Sequence, residues 1–358
     1  MLALTPPTPP RPELLDAPGG FSWWYADIVD AAGDGLVLIA AWGMPFLPGY
    51  AGAARAGAPQ TAGSRPSINL ALYRGGAPCF YLLQETPGAW ESDTRWRFGD
   101  NVVESVIEGG RRRLVATLDC PVAGTKERLQ GRVEVVGPAR RPGPDEVADG
   151  PHRWTPLAAP ARGTADLSVG DWRFACSGRA YHDRNESERP LDGLGIGEWL
   201  WGRAPAGDHE VIWYLLWPDD GGPLVAWGLE LGPDGSTTPI PGLTVHLDQR
   251  RRARYGLGWW DKLELRRDGA PWIVVTHGPA VDDGPFYLRF LPWVESLAGR
   301  ARGVAEFVRP DRVDIPWMRP FVRMRVRPAA GRPSPWLPLF EGTAHDRAAR
   351  LWAGWTGV

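Results

Sequence analysis

The sequence has little of what most directly signals chemistry. Three cysteines occur in 358 residues, Cys79, Cys120 and Cys176. They are far apart, form no Cys-x-x-Cys pair and have no histidine at ligand spacing, which excludes a disulfide framework and the common zinc sites. They read as buried thiols of a reducing cytoplasm. Lysine is nearly missing: apart from Lys126 and Lys262, all 40 basic residues are arginine. With 45 Gly and 37 Pro, this fits a GC-rich coding sequence. Excess charge of either sign is lacking too, since the formal net charge is −2 and the arginines are dispersed. That removes the electrostatic footprint of a nucleic-acid binder. The longest apolar run, Leu36 to Leu47, is broken by Gly43 and Pro45 and is too short to span a bilayer. Met1 to Pro12 is proline-rich, with neither the basic start nor the apolar stretch of a signal peptide. A cytoplasmic protein is expected, with peripheral membrane contact left open, and nothing here sets an oligomeric state.

Familiar catalytic signatures are missing as well. There is no Gly-x-Ser-x-Gly elbow, phosphate loop or His-Glu-x-x-His site. Gly193-Leu194-Gly195-Ile196-Gly197 lacks the spacing and the strand–helix context of a dinucleotide turn. The expectation is therefore an activity with no cofactor and no metal.

What the chain does have is 20 tryptophans and a rhythm of short apolar segments alternating with period two. Ile68, Leu70 and Leu72 fall on one face of their segment, and Asn69, Ala71 and Tyr73 on the other. Comparable runs recur, separated by turn formers such as Gly75-Gly76, Gly109-Gly110 and Asp268-Gly269. The pattern predicts an all-β protein of antiparallel barrels or sandwiches. A final helix is expected around His345 to Trp355. Length predicts two domains. Gly137 to Pro151 reads as a loop within the first domain and Pro190 to Asp208 as a linker, which puts the boundary near residue 205: domains 1–205 and 206–358.

Two clusters stand out. Phe21-Ser22-Trp23-Trp24-Tyr25-Ala26-Asp27 is an aromatic strand ending in a carboxylate. Tyr181-His182-Asp183-Arg184-Asn185 is a dense polar run directly after an apolar strand. If it continues that strand, Tyr181, Asp183 and Asn185 share one face and His182 and Arg184 the other. Should the shared face be a barrel interior, one carboxylic acid sits among aromatic walls.

In this order the two clusters resemble the carotenoid 1,2-hydratase family, also called hydroxyneurosporene synthases, within the lipocalin-like superfamily. The family's Phe-x-Trp-Trp-Tyr-x-Asp strand is matched by Phe21 to Asp27, and its Leu-Asn-Val-Ala-Leu-Tyr strand by Ile68 to Tyr73. A Thr-Glu pair is loosely matched by Gln84-Glu85, and Arg-Trp-x-Pro by Arg153 to Pro156. Its Gly-Tyr-x-Asp-x-Asn motif with a following Pro-Leu is matched by Ala180 to Asn185 and Pro190-Leu191. The likeness covers residues 20 to 205. It implies lipocalin-like domains, a hydrophobic isoprenoid substrate, Asp183 as proton donor, and Tyr181 and Trp154 as its supports. The family's first glycine is replaced by Ala180 and a later one by Ser187, and Pro66-Ser67 replaces a polar pair, all around the pocket.

Hydrating a trisubstituted alkene needs a proton donor, a shielded tertiary cation and a water, and no cofactor. Lifting Asp183 from a pKa of about 3.9 to near neutrality costs roughly 4 kcal/mol and requires burial. Trp154, Trp23 and Trp24 are candidates to face the cation. Asn69, Glu85 and Asn185 are candidates to position water, and Tyr25 to line the pocket. A cyclase or pericyclase with the same cleft, and a lipid carrier without chemistry, are the competing readings. Product mass separates the first from the hydratase: no change against a gain of one water.

Overall fold

The computed structural model describes residues 2–314 other than 123–125, 144–145, 148, 253–256 and 285, with a small ribbon of Pro328–Ala329 and Arg332–Pro333 beyond. The expected helix near His345 to Trp355 lies outside the described residues, as does one of the comparable alternating runs, Phe321 to Val326.

Alternating apolar residues form strands throughout. The first sheet has twelve. It runs from Ala77–Glu85 at one edge through Pro66–Arg74, Gly35–Trp42, Phe21–Val29, Trp172–Ser187 and His152–Val169. It continues through Arg128–Pro138, Arg111–Pro121, Asn101–Glu108 and Arg95–Phe98 to Gly88–Ser92. Only Leu2–Leu4 joins in parallel, against His152–Val169. The sheet curls on itself, so distant strands meet inside it. Trp24 stacks on Trp96 with centroids 3.7 Å apart, and Ser105 lies 2.9 Å from His182 Nε2. Such a stack contributes about 0.5–1.5 kcal/mol beyond the area it buries. Near Pro156 and Pro160 the pairing of the two longest strands slips at two register shifts, because proline has no N–H to give the ladder.

The second sheet has seven strands, with Ile196–Ala206 between His209–Pro218 and Val304–Val308, and Tyr287–Phe290 and Ala280–Asp283 beyond the latter. It is buried on both faces. Leu200, Trp213, Leu215 and Phe307 pack with a third, five-stranded sheet, whereas Trp199, Trp201 and Tyr214 belong to the core shared with the first sheet. The architecture is all-β, curled and antiparallel, as the alternation predicts.

Pro190 to Asp208, expected as a linker, is largely the Ile196–Ala206 strand. Trp199 and Trp201 alternate with Leu200 between two cores, which a strand satisfies. The change of sheet falls at residues 188–195, and residue 205 lies inside that strand. Gly137 to Pro151 connects neighbouring strands of the first sheet.

Candidate active site

Cross-strand partners point to the same side of a sheet, and the register assembles the site as two facing rows. Across the first sheet, Asp183 pairs with Tyr25, Tyr25 with Ile39, Ile39 with Asn69, and Asn69 with Leu83. Across the second, Tyr214 pairs with Trp201, Trp201 with Glu306, Glu306 with Arg289, and Arg289 with Asp282. All of these except Asp282 line one cleft. Three strand spacings separate Asp183 from Asn69, so the trough is on the order of 14 Å long. It lies between the two sheets: Asp183 faces the second sheet, whereas its neighbours His182 and Trp24 point into the first sheet's own interior. A barrel-interior acid is thus replaced by an acid in an intersheet cleft.

Asp183 is buried. Its Oδ2 accepts hydrogen bonds from Trp154 Nε1 at 2.7 Å and from the Tyr181 hydroxyl at 2.9 Å, and its Oδ1 accepts from Asn185 Nδ2 at 3.1 Å. Burial pushes its pKa up to about 8, against the pull of the Trp154 and Tyr181 hydrogen bonds, and the charges of Glu306 and Asp27 push the same way. The acid is therefore protonated at neutral pH. With Oδ2 occupied by two donors, Oδ1 is the oxygen left to carry the proton.

The orientation of Asp183 is fixed from behind. Asn185 Oδ1 lies 3.0 Å from His152 Nε2, so an Asn185 amide that donates to Asp183 accepts from a neutral His152 protonated on Nε2. Burial holds the imidazole down at about 4, consistent with the neutral ring. Below the acid, Arg203, itself fully buried, pairs with Asp27 and Glu210. Its guanidinium carbon is 5.9 Å from the Tyr181 ring centre. This ion cluster ties the strand Phe21–Val29 to Ile196–Ala206 and so sets one sheet against the other. Aromatic rings close the space around the acid: Trp154 meets Tyr214 edge-on at 5.2 Å and Tyr181 meets Trp201 at 5.5 Å.

Of the residues singled out from the sequence, Asp183, Tyr181 and Trp154 come together by direct hydrogen bonds. Trp23, Tyr25, Asn69 and Asn185 line the cleft. Two do not. Trp24 faces the opposite way because successive strand residues alternate, and it packs on Trp96. Glu85 pairs in register with Ser67, beyond the cleft end of its strand, and is 44% exposed in an ion pair with Arg65. A lone carboxylate there is better served by solvent and arginine than by an apolar trough. The residues that sequence reading missed are His152, Trp201, Tyr214, Arg289 and Glu306. His152 was within reach, since it stands two residues before Trp154 and hence on the same strand face. The other four carry no local motif.

Among the described residues, no group of three or more His, Cys, Asp or Glu side chains is placed to hold a metal ion, and no helix is long and apolar enough to cross a membrane.

Comparison with known proteins agrees with the resemblance read from the motifs. A family model described as carotenoid hydratase CrtC matches residues 38–334. An acyclic carotenoid 1,2-hydratase of Rubrivivax gelatinosus is 29% identical over 334 residues, covering 87% of this chain and 76% of the relative. One from Thiocapsa roseopersicina is 30% identical over 205 residues, covering 54% of this chain and 47% of that protein. In fold, the chain is similar to a solved AttH structure from Nitrosomonas europaea, with a TM-score of 0.57 at 13% identity, covering 84% of this chain and 94% of that one. The fold is lipocalin-like, and with most of its length matched by the family model, the chain belongs to the carotenoid hydratase CrtC family.

Proposed function

We propose that this protein adds water to the terminal C=C bond of an acyclic carotenoid, or of another linear isoprenoid, by acid catalysis without a cofactor. The observation that carries the reading is a buried Asp183 in the wall of an aromatic cleft, with Oδ2 pinned by Trp154 and Tyr181 and only Asn185 on Oδ1. The reaction is redox-neutral, so a proton, a water and a suitable enclosure account for all of it.

The step begins with transfer of the Asp183 proton to the CH carbon of the terminal alkene, which forms a C–H bond and leaves a tertiary cation on the dimethyl carbon. Asp183 becomes a carboxylate that is stabilised at once by the hydrogen bonds of Trp154 and Tyr181. Trp201 and Tyr214 line the cleft beside Asp183, and an aromatic ring there that turns its face to the cation contributes about 2 kcal/mol if desolvated. Burial keeps the Tyr181 and Tyr214 hydroxyls far from ionising, so they shield the cation without combining with it. Capture by water then forms the C–O bond, and loss of one of that water's protons gives the tertiary alcohol.

The test is to incubate the purified protein, with no added metal or nucleotide, with an acyclic carotene that carries an isopropylidene terminus. A product heavier by one water supports the reading. A product of unchanged mass identifies a cyclase or isomerase, and tight binding without turnover a carrier.

A further inference from the structure

We infer that Glu306 is the general base that takes the proton of the attacking water, an assignment that rests on the hydratase reading above. Protonating the alkene solves only half of hydration. A water that attacks a cation must lose a proton, and the Asp183 carboxylate formed in the first step is held by Trp154, Tyr181 and Asn185 on the other side of the substrate.

Glu306 is the acidic residue of the facing row that lines the cleft; Asp282, at the row's end, does not. It lies on Val304–Val308 next to Trp201 and Arg289 in register, opposite Tyr25, which is itself the immediate neighbour of Asp183 in the first sheet's row. The Tyr25 hydroxyl donates to Glu306 Oε1 at 3.0 Å across the cleft, and Arg289 Nε donates to the same oxygen at 2.6 Å. Both fixed donors thus fall on Oε1. Oε2 has no hydrogen-bond partner among the described residues, and the side chain is 18% exposed, enough for contact with water in the cleft. Asp183 and Glu306 therefore stand on opposite walls, about one strand spacing apart along the trough, with the rings of Trp201 and Tyr214 alongside.

The balance of the step is simple. The water oxygen bonds the tertiary carbon while one of its hydrogens passes to Glu306 Oε2, giving alcohol and protonated Glu306. Solvent then carries that proton away and Asp183 is reprotonated. Arg289 is a positioning residue here: paired also with Asp282 at 3.1 Å, it holds Oε1 and leaves Oε2 to the water.

Glu306→Gln should keep the hydrogen bond from Tyr25 but accept no proton. Hydration is expected to fall by at least about a hundredfold, the low end for a lost general base. In D₂O, however, deuterium should still enter the recovered hydrocarbon, because Asp183 still protonates the alkene and an uncaptured cation returns an adjacent hydrogen to the Asp183 carboxylate. Hydration within a few-fold of the parent overturns the assignment, as does loss of deuterium uptake together with hydration in a folded Glu306→Gln protein. Glu306→Ala with added formate covers misfolding of the glutamine variant: recovered hydration supports a base at this position, and no recovery at saturating formate overturns it. The parent protein keeps the two claims apart. If it adds no water to the carotene, the hydratase reading itself fails; if it does, these outcomes bear on Glu306 alone.

Discussion

Replacing Asp183 by asparagine is expected to lower turnover by at least about a hundredfold while substrate still binds. The asparagine side chain has the same shape, and its oxygen accepts from Trp154 and Tyr181 where Oδ2 does now. Its amide would then face the Asn185 amide nitrogen, but Asn185 can turn over, because His152 meets the far end through a ring whose other nitrogen, Nδ1, has no partner among the described residues and can take the proton. The exchange is accommodated by one flip and one change of tautomer, so the fold and the cleft persist. Only the transferable proton is lost, which for a positioned acid is worth 10²–10⁴-fold. Turnover and substrate affinity measured on the same preparation distinguish this from general damage, which would weaken both.

The second large effect concerns stability. Arg203→Met is expected to destabilise the protein by about 3–5 kcal/mol, the usual cost of removing one partner from a buried ion cluster. Asp27 would remain buried without its cation, and Glu210 would keep only the partly exposed Arg179 at 3.5 Å. Burial already pushes both carboxyls up, and Arg203 opposes that push. In the variant the largest opposing charge is gone, leaving only Arg179 beside Glu210 and the Tyr25 hydrogen bond to Asp27, so the folded chain binds protons that the unfolded chain releases. Stability then falls as pH rises above the unfolded carboxyl range, and the loss relative to the parent should be larger at pH 8 than at pH 5. Denaturant unfolding of both proteins at the two pH values measures it.

How far the sequence revealed this depends on the distance over which each feature is encoded. Tyr181, Asp183 and Asn185 share a face because alternate residues of any strand do, and that spacing is visible in five letters. The same rule, applied to the strand of Trp154, reaches His152. It also separates Trp24 from Trp23 and Tyr25, a distinction lost when an aromatic cluster is treated as a unit. The linker expected at Pro190 to Asp208 is instead largely a strand, because Trp199 and Trp201 face one core and Leu200 the other. Glu306, Arg289 and Tyr214 are a different matter. They reach the cleft through the register of strands as far apart in the chain as those of Trp201 and Glu306, and no local pattern records which residue of one strand will stand beside which residue of another. That the cleft lies between sheets rather than within one follows from the same long-range pairing.

The central claim is that Asp183 is a neutral carboxylic acid at the pH where the protein works. Carbon-13 NMR of the protein labelled at aspartate carboxyl carbons, with Asp183→Asn identifying the resonance, follows that proton directly. The account predicts a titration centred at about 8, as burial dictates. A titration near 4, the ordinary range of a solvated aspartate, would contradict it.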